Sequence, residues 1–123
     1  MRTILITAVV LLIAQFTFSQ DMAAARQRAT EKTAQMKNDL SLTQTQEPQV
    51  LALNIELEEE IEKINSNRSL EKSDKTAQID AVEKKEKERL KTILSPEQFD
   101  VYYSETEPSK AKIHTSRSSI KKN

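Results

Sequence analysis

The residues with the widest chemical repertoire are few and badly placed for catalysis. His114 is the sole histidine, and the chain has no cysteine. Serines and threonines are plentiful, but none has a readable base to activate it as a nucleophile. Glu58, Glu59 and Glu60 are three adjacent carboxylates. On a helix, consecutive residues project about 100° apart, so they diverge and do not converge on one cation. They read as a solvated face. Glycine is absent, which argues against glycine-rich phosphate loops and against tight hairpins that need positive φ. No catalytic residue, metal site or cofactor is expected. The function classes left are binding and structural ones.

One local pattern occurs twice. Leu42-Thr43-Gln44-Thr45-Gln46 and Leu94-Ser95-Pro96-Glu97-Gln98 each carry leucine, a hydroxyl residue, two variable positions and glutamine. The physics is that of the capping box. The hydroxyl of Thr43 or Ser95 accepts from the amide three residues on, and Gln46 or Gln98 reaches back to the N-cap amide. The second copy adds proline at the first helical position, where the missing N–H costs nothing. It also sets Leu94 against Phe99 as a hydrophobic staple. The first copy has Glu47 at that place and lacks the staple.

The elements that must position these turns follow from apolar spacing. The fold class expected is all-α, with three to four amphipathic helices. A first helix is predicted over 21–40, capped by Asp21, with Met22, Ala25, Ala29, Met36 and Leu40 on one face. The second, over 43–64, carries Val50, Leu53, Leu57, Ile61 and Ile64 at steps of three and four. Pro48 is tolerated only in a first turn, so the regular helix should begin nearer Glu47. A polar connection, 65–73, leads to a third helix over 74–94 capped by Ser73 or Asp74. Its stripe is Ile79, Val82, Leu90 and Ile93, with Glu86 filling the gap. A short helix over 96–104 holds Phe99, Tyr102 and Tyr103. The tail, 105–123, has too little apolar content to offset ordering and is expected to be disordered. Its Lys110, Lys112, Arg117, Lys121 and Lys122 are spread singly. They suit a solubilising tail better than a site for anionic lipid or peptidoglycan.

The first residues belong to a different class of segment. Arg2 is followed by an apolar run, Ile4–Ala14, broken only by Thr7, and then by small residues Thr17 and Ser19. This is the pattern of a secretory signal with cleavage after Ser19. The run is shorter than the about 20 apolar residues a membrane-spanning helix needs. The expectation is a periplasmic or secreted protein with a helical domain over 20–104 and no integral membrane span after cleavage. Acidic and basic residues balance at 19 each, so no global field points to nucleic acid. Only 4% of residues are aromatic, and such a core-poor domain gains from oligomerisation.

Two Leu-[Thr/Ser]-x-x-Gln motifs in a short exported helical chain resemble the Spy/CpxP family of periplasmic proteins, which is marked by paired Leu-Thr-x-x-Gln motifs. The resemblance runs from about Ala29 to Tyr103 and assigns Leu42, Thr43 and Gln46 to the first motif and Leu94, Ser95 and Gln98 to the second. It implies a thin helical hairpin-type arrangement completed by antiparallel homodimerisation. It also implies ATP-independent chaperone or envelope-stress activity, with unfolded or envelope proteins as partners. Three features depart from the pattern: Ser95 for threonine, Pro48 just after the first motif, and an acidic body where the family has a basic concave surface. Met36, Val50, Leu53, Leu57 and Ile61 are the candidate client or dimer contacts, although any single one of them is more readily a core residue. The alternative function is a regulatory protein docking on one envelope partner.

Overall fold

In the computed structural model, long glycine-free stretches with apolar residues every three or four positions fold, among the described residues, as four helices. These are α1 (Arg2–Leu40), α2 (Gln46–Ser66), α3 (Lys72–Ile93) and α4 (Pro96–Thr106). The structure describes the backbone of residues 2–106 and the side chains of 20–106. Among the described residues there is no strand, and no helix is long and apolar enough to cross a membrane. The all-α expectation is met.

The order is down, up, down with a short return. Arg26 of α1 meets Glu59 of α2 while Lys37 meets Glu47, so the two helices run antiparallel. Lys85 of α3 meets Glu60 while Arg89 meets Glu56, which makes α3 antiparallel to α2 as well. Helix α2 is therefore central, packed on α1 and on α3, and α4 packs back against both α1 and α3. The C-termini of α1 and α3 and the N-termini of α2 and α4 all lie at one end of the bundle.

Several boundaries differ from the sequence-based expectation, each for a local reason. Asp21 does not cap α1. It lies inside one continuous helix, because nothing between Arg2 and Leu40 is a glycine or proline that would break it. Ser73 and Asp74 do not cap α3 either. The N-cap is Glu71, with extended backbone at φ −71° and ψ 160° and no side-chain cap bond. The connection is also shorter than expected. Ser66 stays helical and bonds back to the Glu62 carbonyl, and Asn67 makes the turn by accepting from the Ser69 amide at 2.9 Å. Helix α2 begins regularly at Gln46, with Pro48 in its first turn. Helix α4 runs on through Glu105 and Thr106, two residues into the expected tail. The rest of that tail, with His114 and the five basic residues, lies outside the described residues. So do the side chains of the export segment.

The core is the α2 stripe with its neighbours. Val50, Leu53, Leu57 and Ile64 are buried against Met36 and Leu40 of α1, Val82, Leu90 and Leu94, and Tyr102 of α4. Thus Met36, Val50, Leu53 and Leu57, considered as client contacts, are interior residues of this fold, and Ile61 is half-buried at the margin. The reason is geometric. Two antiparallel neighbours flank α2 and cover these residues. Among the described residues Val101 is the one exposed large hydrophobic.

Glu86 fills the stripe of α3 as the spacing implied. It is 7% exposed, and Lys32 Nζ of α1 lies 2.7 Å from its Oε1. That contact is electrostatic, since the oxygen has no hydrogen bond of proper angle.

Leu53, 1% exposed at the centre of this core, should be the most sensitive apolar position. Truncation to alanine removes buried contacts and leaves a cavity, costing about 2–5 kcal/mol. Urea unfolding of Leu53→Ala should show a midpoint well below that of the parent with an unchanged slope.

Candidate functional site

The two capping motifs meet. In the first, the Gln46 amide donates to Thr43 Oγ1 at 3.1 Å and the Thr43 amide donates to Gln46 Oε1 at 3.0 Å. In the second, the Gln98 amide donates to Ser95 Oγ at 3.2 Å and the Ser95 amide to Gln98 Oε1 at 2.9 Å. Both boxes are closed, so serine in place of threonine leaves the cap intact. The Thr43 and Ser95 carbonyls accept the first helical bonds, from Glu47 and Phe99.

The carboxamides then bond to each other. Gln46 Nε2 donates to Gln98 Oε1 at 2.7 Å, and Gln98 Nε2 donates to Gln46 Oε1 at 2.9 Å. The second proton of each amide goes to the helix that precedes the other motif. Gln46 Nε2 donates to the Ile93 carbonyl at 3.1 Å, and Gln98 Nε2 to the Leu40 carbonyl at 3.1 Å. A glutamine amide offers two donors and two acceptor sites, and here every one is used. The knot closes the ends of four helices: carbonyls ending α1 and α3, amides opening α2 and α4. These are the groups a helix cannot satisfy internally.

Flanking residues complete the knot. Ser41 ends α1 at φ 52°, a left-handed position that glycine usually occupies and this chain fills without one. The Leu42 amide then bonds back to the Lys37 carbonyl at 3.2 Å, as in a Schellman turn. Leu42 and Leu94 are both buried in the core. In the second copy Phe99 packs on the same cluster, consistent with the staple, and stacks near Tyr103 with centroids 6.3 Å apart. In the first copy Glu47 pairs with Lys37 at 2.8 Å, so an ion pair stands where the staple is missing.

Away from the knot the bundle is flanked by charge. The glutamates of α2 divide between its two neighbours. Glu58 and Glu62 take Arg28, and Glu59 takes Arg26, all on α1. Glu56 takes Lys85 and Arg89, and Glu60 takes Lys85, on α3. Glu58, Glu59 and Glu60 thus diverge as helical geometry requires. No group of three or more potential ligands among the described residues could hold a metal. Arg89, then Lys85, hold the Glu56 carboxyl below its ordinary pKa by hydrogen bonding. Glu56 and Glu60 raise the Lys85 ammonium, and Glu58 and Glu62 raise the Arg28 guanidinium.

One polar feature escaped the sequence reading. Asn54 is fully buried between Leu53 and Leu57. Its Nδ2 donates to Thr33 Oγ1 at 2.9 Å, and Thr33 donates to the Ala29 carbonyl at 2.7 Å. Asn54 Oδ1 is buried with no partner. The available signal was an asparagine at a stripe position, four residues after Val50 and three before Leu57.

The knot can do no proton or group transfer. Carboxamides do not titrate, and these have no free valence for a ligand. Its chemistry is positional: it fixes how two helix pairs join. The candidate motif residues Leu42, Thr43, Gln46, Leu94, Ser95 and Gln98 are all brought together, while Met36, Val50, Leu53 and Leu57 lie in the core beside them.

The chain belongs to the family described as Domain of unknown function (DUF4890), whose model matches residues 14–102. That stretch takes in both motifs. No curated protein matches the chain, and no solved structure does.

Two outcomes follow from this geometry. Gln46→Ala removes four bonds and strands the Ile93 carbonyl, so it should destabilise by about 2–3 kcal/mol, as should Gln98→Ala. The double variant should cost clearly less than the sum, because the shared bonds are lost only once; a double-mutant cycle in urea reads this coupling. Separately, the depressed Glu56 carboxyl contributes stability that is complete above the ordinary carboxylate range and lost as pH falls through its lowered value. Glu56→Gln should therefore flatten the acid limb of a melting-temperature profile and leave the neutral-to-alkaline limb parallel to that of the parent.

Proposed function

We propose that this member of the family is an exported, non-enzymatic holdase of Spy/CpxP type, binding unfolded polypeptide in the periplasm without ATP and working as an antiparallel homodimer. The observation that carries this reading is the joining of the two Leu-[Thr/Ser]-x-x-Gln turns. Each glutamine completes the partner's cap and closes the helix before it. That gives the paired motif of the resembled family a physical reason to occur as a pair. The N-terminal segment, with its basic start and short apolar run, supports export. The absence of histidine and cysteine from residues 20–106 supports a binding role over catalysis. A charged exterior keeps such a protein soluble.

A second reading has its own observation. Since Val101 is the one exposed large apolar side chain among the described residues, the resting surface suits a charge-directed contact with one defined envelope protein.

The deciding experiment is light scattering of a chemically denatured client diluted into the purified protein without nucleotide. The holdase reading expects scattering to fall in a dose-dependent way at up to several-fold molar excess. No effect across that range overturns it. Recovery of one envelope protein at stoichiometric yield, with clients ignored, establishes the regulatory reading instead.

A further inference from the structure

The stripe best suited to an unfolded client is covered by α1, and the cover is unevenly fastened. At the knot end α1 is pinned by the Gln98 bond to the Leu40 carbonyl, by the Leu42–Lys37 backbone bond and by buried Met36 and Leu40. Between residues 20 and 33 its only buried apolar groups are Ala25 and Ala29, with Met22 half-buried. Two methyl groups exclude little water. Arg26 and Arg28 add three ion-pair contacts with side chains that remain 66% and 46% exposed, and at the inner edge, next to Thr33, Lys32 pairs with Glu86 of α3 at 2.7 Å. The Arg26 and Arg28 contacts are weak and are screened by salt.

The division falls at a buried polar layer. Thr33 of α1 faces Asn54 of α2, and Asn54 Oδ1 has no donor. A buried acceptor left unmatched costs free energy, and α1 offers nothing to relieve it. An unfolded polypeptide does, since it carries an N–H at nearly every residue.

We propose that residues 20–33 of α1 are a displaceable arm. It swings from the Thr33–Asn54 layer and uncovers a surface of α2 formed by Asn54, Leu57 and Ile61. The occupant that replaces it is an apolar segment of unfolded polypeptide, with one backbone N–H donated to Asn54 Oδ1. The arm conceals the apolar surface until a client competes for it, which reconciles a charged resting exterior with holdase activity. This rests on the holdase reading for its ligand but not for the motion.

The test is native-state hydrogen exchange on the purified protein. Amides of residues 24–33 should exchange at least about 10-fold faster than those of residues 52–60, as expected for a separate low-stability opening. Added 0.5 M NaCl should widen that gap. Equal protection in both segments, with or without salt, overturns the arm. The paired substitution Thr33→Val with Asn54→Leu removes the unmatched acceptor. It should slow exchange of the arm and weaken client protection several-fold. If the arm opens but the parent protein never suppresses client aggregation, the holdase reading fails and the motion stands. If suppression occurs while the arm and α2 exchange together, the arm is wrong and the holdase reading stands.

Discussion

The reciprocal amide pair between Gln46 and Gln98 is the constraint on which the bundle depends. Each local cap would hold its own helix start without the other. What the cross-pair adds is a hydrogen-bonded, fixed relation between the α1–α2 elbow and the α3–α4 elbow, beside the apolar packing they share. Because the Oε1 atom of each glutamine accepts from its own cap and from its partner's Nε2, moving one elbow disturbs both. Such closed networks specify a single geometry when every member is satisfied. Here the satisfaction is complete, and it is made of neutral groups that pH leaves unchanged.

The flanks of α2 obey different physics. The five glutamates from Glu56 to Glu62 pair outward to α1 and α3 across surfaces that water reaches. These pairs set the register of the helices more than they hold them together, since exposed ion pairs contribute little net free energy. Cohesion comes instead from a short column, Val50, Leu53 and Leu57 with Leu90, Leu94 and Tyr102. The column is concentrated toward the knot, because α4 returns only along that part of the bundle. At the far end an open cleft of about 450 Å³ is lined by Ile64 of α2, by Leu70 of the connection and by Val82 of α3.

Much of this was legible from local spacing. The four helices, the α2 stripe, the two capping boxes and Glu86 in an apolar row all follow from periodicity within one helix or turn. The cross-pair was not legible, because its partners are 52 residues apart and no local pattern encodes which side chains meet. The same limit hid the partners of the α2 glutamates and the Thr33–Asn54 bond. The missed cap at Glu71 has another cause. Helix α3 starts without a side-chain bond, so the better capping residues, Ser73 and Asp74, misplaced the boundary. Whether the apolar stripe is core or contact surface also could not be read from spacing. That depends on how many helices surround α2, a matter of tertiary packing.

The kind of contact that holds α1 therefore changes along the bundle. At the knot, carboxamide and backbone groups are matched one to one, and salt leaves these neutral bonds in place. At mid-length, Lys32 and Glu86 tie α1 to α3, and Asn54 keeps one acceptor unmatched in the interior. Beyond that point alanine contacts and exposed ion pairs predominate on α1, and these lose strength as ionic strength rises. A rigid end is needed for any part to move while the fold persists, because a bundle held uniformly loosely would melt as one unit. The paired motif supplies that end. It anchors α1 at Leu40, while residues 20–33 rest on α2 and α3 through alanine contacts, the Thr33–Asn54 bond and ion pairs.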